Sequence, residues 1–115
     1  MKVLRSFCFA FSGIRYCFKA EVNFRVHCIA VVVAVTLGVA LHISNTEWLM
    51  IILAIGAVIC LEIINTIIEK LCDIIHPEQA YKIKIIKDMA AAAVLIAAVI
   101  SLITGCFIFL PKIFK

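Results

Sequence analysis

Residues 89–110 run for 22 positions without one charged side chain. As a helix this stretch rises about 33 Å at about 1.5 Å per residue, enough to cross a hydrocarbon core about 30 Å thick. Lipid offers no partner to backbone N–H and C=O groups, so a segment crossing it must satisfy them internally, as a helix does. The chain is therefore expected to be an integral membrane protein. Its composition agrees: 66% of the 115 residues are hydrophobic and 16% charged, against about 45–50% and about 25% in soluble domains. That balance argues against a water-soluble enzyme, a disordered chain or a nucleic-acid-binding tail, and the length leaves no room for a separate soluble domain.

Two further apolar segments precede this one, at 28–41 and 48–68. The first is 14 residues long before His42 and needs its flanks to cross. The second crosses only if the part holding Glu62 and Asn65 continues as helix at membrane depth. An ionisable group placed there is costly, which makes it the most informative feature of the chain.

Residues 1–25 differ in kind. Lys2, Arg5, Arg15, Lys19 and Arg25 interrupt any apolar run, while Leu4, Phe7, Phe11, Ile14 and Phe18 share one side of a helix opposite Arg5, Ser12, Tyr16 and Lys19. This is an amphipathic helix suited to the membrane interface. It lacks the uninterrupted core of a signal peptide, so the N-terminus is expected to be retained. The expected fold is all-α and single-domain over 1–115, with this helix at 1–25 and spans at about 27–43, 48–70 and 88–110. Pro77 is expected to bend the second loop, and Pro111 to stop the third span. Of the eleven Lys and Arg, nine fall before the first span or between the second and third. The positive-inside rule places those segments and the N-terminus in the cytoplasm. Trp48 beside Glu47 suits the outer interface.

Glu62, Asn65, Glu69 and Asp73 confine themselves to an arc of about 80° on a continuous helix. This polar stripe begins inside the inner leaflet and reaches the cytoplasmic surface. Glu21 and Arg25 ahead of the first span, and Lys87 and Asp88 ahead of the third, lie at the same level. The rare charges are thus placed where they can meet. Carboxylates with water and phosphate oxygens are the usual surroundings of Mg²⁺, and carboxylates plus a lysine suggest a metal-nucleotide site. Glu62, the deepest and partly desolvated, suits a general base acting on an alcohol. It lies about 10 Å along the axis from Glu69, roughly the reach of a triphosphate end.

Plainer readings exist for each group. Glu62 and Asn65 read also as polar glue between helices in a non-catalytic scaffold or assembly subunit, and the carboxylates of the stripe as those of a small ion or proton channel. Glu21 and Arg25 are spaced as a surface pair, and Lys82, Lys84 and Lys87 as an anionic-lipid contact. His27, His42 and His76 read as interfacial. The six cysteines are scattered without a C-x-x-C pair and read as small buried hydrophobes. No glycine pattern of a phosphate loop is present, so a bound nucleotide must be held by side chains and metal.

The blocks FKAEVNFRVH (18–27), EIINTIIEKLCD (62–73) and KDMAAAAVL (87–95) resemble the signature blocks of the bacterial integral-membrane diacylglycerol kinase and undecaprenol kinase family. The blocks occur in family order and the similarity spans essentially the whole chain. The resemblance implies a homotrimer with active sites shared between subunits. It also implies transfer of the γ-phosphate of MgATP to the hydroxyl of a membrane lipid at the cytoplasmic face of the bacterial inner membrane. By position it assigns Glu62 as the base and Glu21 and Glu69 as metal-binding carboxylates. Lys87 and Asp88 become phosphate contacts, Glu78 a nucleotide contact, and Asn65 and Asp73 members of the same stripe. Asn23 to His27, with Asn23 and Arg25 as substrate contacts, fall near the entry of the lipid hydroxyl. The blocks E-x-N-F-R-x-H and G-x-x-I-F-x-P-K look more like the branch containing undecaprenol kinases, which sets undecaprenol slightly ahead of diacylglycerol as substrate.

Overall fold

The computed structural model describes residues 1–75 and 80–115. Among them all regular structure is helical: α1 (Lys2–Ala20), α2 (Val22–Ala40), α3 (Asn45–Ile74) and α4 (Ala80–Ile113). The last three are long and apolar enough to cross a membrane. The amphipathic helix expected over 1–25 ends at Ala20, and the first span begins at once with Val22. Glu21 between them is extended (φ −113°, ψ 115°), so one residue turns an interfacial helix into a spanning one.

α2 and α3 form a tight antiparallel pair because the four residues between them satisfy the helix ends locally. His42 adopts φ 51°. Its N–H reaches Val39 O at 3.4 Å and that of Ile43 reaches Gly38 O at 3.3 Å, a Schellman closure of α2. Ser44 then opens α3 with a capping box: its Oγ accepts from Glu47 N at 3.2 Å and its own N–H donates to Glu47 Oε1 at 2.9 Å. Close packing follows, since a Cβ on Gly38 would fall 2.6 Å from Trp48 Cη2. Trp48 is thus packed over α2 beside a buried cluster of Ile43, Ile51, Ile108 and Phe109.

α3 and α4 make the most extensive pairing and carry an ion pair toward each end. Lys112 Nζ lies 3.3 Å from Glu47 Oε1 at one end, and Lys87 Nζ lies 3.1 Å from Asp73 Oδ1 at the other. Glu47 and Asp73 are separated by about 39 Å of helix, close to the 40–45 Å of a bilayer with its headgroups. Pro111 does not stop the third span: α4 runs through it to Ile113. So near the helix end the missing proline N–H forfeits only one bond, and Phe114 N still donates to Leu110 O at 3.0 Å.

The protein measures 57 × 41 × 21 Å. A body 21 Å thin is barely two helix diameters deep, so many apolar side chains face outward. Leu102 is 69% and Phe107 77% exposed. The cysteines follow the same division and correct the expectation of burial: Cys17 and Cys72 are buried, whereas Cys8, Cys60 and Cys106 are exposed. Lipid, rather than a protein core, is the surrounding such a surface requires.

Candidate functional site

The break at Glu21 builds one wall of the site. Glu21 N–H still donates to Cys17 O at 2.9 Å, and its own carbonyl accepts from Arg25 N at 3.3 Å. The Arg25 guanidinium turns back across the elbow and donates to Phe18 O at 2.8 Å and Lys19 O at 3.0 Å. These are carbonyls that the end of α1 leaves without helical partners, so a cation there is favoured twice, by hydrogen bonds and by the helix dipole. Cys17 and Phe24 are buried inside the elbow. Burial pushes the Cys17 thiol up, and the carboxylates of Glu21 and Glu62 push it further the same way.

α3 supplies the opposite wall. Glu62 is 1% exposed, the largest fully buried side chain among the described residues. It lies about 21 Å along α3 from Trp48, well inside a hydrocarbon core about 30 Å thick. Its Oε2 stands 3.6 Å from His27 Nε2 on α2, and its Oε1 has no partner among the described residues. Glu21 and Glu69 are the other charges close enough to act on it. One turn further along, Asn65 is 8% exposed and donates through Nδ2 to Glu69 Oε1 at 3.0 Å, while Asn65 Oδ1 is unpartnered. Thr66 spends its hydroxyl on Glu62 O at 3.1 Å. Two buried acceptors without donors among the described residues are unusual in a folded chain and call for a partner such as water or a bound group.

Toward the Asp73 end of α3, Lys87 joins the stripe through Asp73. Asp88, one residue on and so about 100° around the helix, pairs instead with Lys84 at 2.7 Å on its own helix. Lys70 Nζ lies 5.3 Å from the centroid of the Tyr16 ring, tying this end of α3 to α1. Asn23 is exposed, Arg25 is engaged at the elbow, and Glu78 falls outside the described residues. Sequence reasoning set His27 at the interface, at the end of the block 23–27 near the lipid entry, but did not pair it with Glu62. The signal was available, since an ionisable group within the first turns of a span is a functional candidate by default.

An apolar groove of about 510 Å³ runs from His27 along α2, α3 and α4. Small side chains (Ala30, Ala34, Ala54, Ala98 and Gly105) hollow it out, and His27 is its one ionisable group apart from the thiol of Cys106. Ser101 on its wall donates to Ala54 O at 3.2 Å and so presents no free hydroxyl hydrogen.

Among the described residues no three of His, Cys, Asp and Glu converge as a metal site. Glu69, bonded to Asn65 Nδ2, and Glu21 at the elbow are the hard-oxygen donors that two separate elements offer, a set the described residues alone do not close. That set fits Mg²⁺, which takes one or two carboxylates and completes its shell with water and phosphate.

Residues 8–109 match the family described as prokaryotic diacylglycerol kinase. The chain is 39% identical over 112 residues to an undecaprenol kinase of Bacillus subtilis, a match covering 97% of this chain and 91% of that protein. It is 34% identical to a diacylglycerol kinase of Synechocystis over 96% of this chain, and it spans 64% of that longer protein. Identity to the diacylglycerol kinase of Escherichia coli is 30%, over 93% of this chain and 88% of that one.

Proposed function

The chain belongs to the prokaryotic diacylglycerol kinase family, a family of membrane lipid kinases, and from that premise we propose how its residues perform the reaction and on which lipid. A lipid hydroxyl reaches the inner end of the apolar groove from the bilayer, while ATP arrives from the cytoplasm at the polar stripe. The observation that carries this reading is Glu62: buried, with one oxygen facing His27, which lines the inner end of the groove, and the other without a partner among the described residues.

Glu62 accepts the hydroxyl proton as the lipid oxygen bonds to the γ-phosphorus and the bond from that phosphorus to the ADP oxygen breaks. The proton then leaves Glu62 for water, and the products are a phosphorylated lipid and ADP. Phosphoryl transfer depends on position and charge neutralisation more than on covalent help. Lys87 supplies positive charge to the phosphates, with Asp88, Glu78 and Asp73 around the nucleotide. Asn65 orients Glu69 through its 3.0 Å hydrogen bond. Glu21 and Glu69 would hold Mg²⁺, which when bound neutralises phosphate charge. Arg25 holds the elbow on which Glu21 depends, and Asn23 lies beside the lipid entry.

The proposed setting is the bacterial inner membrane with the N-terminus cytoplasmic, supported by nine of eleven basic residues falling on that side. The proposed assembly is a homotrimer, as the resemblance of the blocks at 18–27, 62–73 and 87–95 to the family implies. Undecaprenol is the proposed substrate ahead of diacylglycerol, supported by the 39% identity to an undecaprenol kinase.

The test is phosphate transfer from labelled ATP by purified protein in mixed micelles, offering undecaprenol and diacylglycerol in parallel, with and without Mg²⁺. Mg²⁺-dependent labelling of undecaprenol above diacylglycerol is the expected result. Preference for diacylglycerol overturns the substrate assignment. Absence of labelling from a folded oligomer overturns the kinase reading and returns the polar stripe to helix packing.

A further inference from the structure

Among the described residues His27 is the only side chain facing the Glu62 carboxylate within ion-pair distance, and it reaches there from a different helix. The two also divide the site between them. His27 lines the apolar groove and is one-fifth exposed, whereas Glu62 is sealed. Resting on the lipid-kinase reading above, we propose that His27 is the positioning residue for the base: its Nε2–H holds Glu62 Oε2, and this turns Oε1 toward the head of the groove, where the lipid hydroxyl arrives.

The geometry carries this in three steps. A carboxylate can rotate about its last bond, and a base that rotates spends little time aimed at its proton. Glu62 has no other side-chain partner to stop that rotation, since Oε1 is unpartnered and Thr66 hydrogen-bonds the backbone carbonyl instead. The 3.6 Å separation is longer than a hydrogen bond and within ion-pair range. Catalytic contacts of this kind are often long without substrate and shorten in the productive complex. Facing a carboxylate also selects the imidazole tautomer with the proton on Nε2. The proton of the lipid hydroxyl still goes to Glu62; His27 exchanges none and acts only through Glu62.

The experiment compares His27→Leu, His27→Gln and Glu62→Gln with the parent protein in the same micelles. Initial rates are taken against lipid and against ATP, and oligomeric state is checked by size-exclusion. His27→Leu fills the space without a donor and is expected to lower kcat about ten- to hundredfold, the usual range for losing a group that orients a reacting one, with both KM values little changed. His27→Gln keeps an Nε2–H donor at nearly the same reach and is expected to recover much of that loss. A kcat within twofold of the parent for His27→Leu overturns the proposal. So does an equal loss in His27→Leu and His27→Gln, because the donor is then not what matters. Glu62→Gln separates the two readings: if it turns over normally, the assignment of the base has failed, and with it the proposal.

Discussion

Lys87 Nζ of α4 stands 3.1 Å from Asp73 Oδ1 of α3, a cross-helix pair at the end of the hairpin where the polar stripe leaves the membrane. The pair is open to solvent, with the lysine 39% and the aspartate 64% exposed. An exposed pair stabilises little, so the contact holds Lys87 over the stripe at small cost to exchange. Arriving phosphate oxygens can therefore take the ammonium from Asp73.

If Lys87 serves phosphate, then Lys87→Met raises the KM for ATP at least tenfold and leaves the KM for lipid near its parent value. Asp73→Asn removes only the resting partner and is expected to change the KM for ATP far less. Steady-state rates with each substrate varied in turn check this. Equal effects of the two substitutions would show that the pair matters only as a link between helices.

Glu62→Gln is expected to cut turnover on the order of 10²- to 10⁴-fold, the usual contribution of a positioned general base. Stability should not fall with it. A buried carboxylate next to one imidazole is expensive to desolvate, and an amide of the same shape avoids that cost. Thermal unfolding in detergent, run beside the activity assay, separates lost chemistry from lost structure.

The approach of α2 and α3 rests on Gly38. A methyl group there meets the Trp48 ring at 2.6 Å, and overpacking of this kind costs about 1–3 kcal/mol. Gly38→Ala should therefore lower the unfolding midpoint. Gly13, on the surface of α1, has nothing within 4 Å of an added Cβ. There the better helix propensity of alanine should raise stability by up to about 1 kcal/mol.

Cys17 offers a probe of the elbow. Its thiol is pushed above the ordinary value by burial and by Glu21 and Glu62. A raised value means that the reactive thiolate is scarce at neutral pH and increases only as pH rises through that higher value. In variants retaining one cysteine each, maleimide should label Cys8 readily at pH 7 and Cys17 slowly, with the Cys17 rate climbing at alkaline pH. Replacing Glu21 by Gln removes one of the two negative charges and should shift the Cys17 profile toward lower pH.

Much of this arrangement was legible residue by residue. The uncharged run of 89–110 demands a spanning helix because lipid cannot solvate a peptide group. The spacing of Glu62, Asn65, Glu69 and Asp73 puts them on one face through helical period alone, and α3 is indeed one unbroken helix from Asn45 to Ile74. Other features had a signal that was passed over, such as the Ser44 and Glu47 capping box. The end of α1 had none: Ala20, Glu21 and Val22 include no proline or glycine, and the break depends on Arg25 reaching back to Phe18 and Lys19.

The sequence by itself determined that the protein lives in the membrane, which helix carries its polar stripe, and which face of that helix is polar. These follow from local rules, the length of an apolar run and the 3.6-residue turn. Only the tertiary structure decided that Glu62 meets His27 and that Lys87 joins the stripe through Asp73. Each of these depends on the rotation of one helix about its axis relative to another. That angle is set by how Gly38, Trp48 and the Ile43, Ile51, Ile108 and Phe109 cluster pack, a sum over many small contacts that no spacing along the chain records.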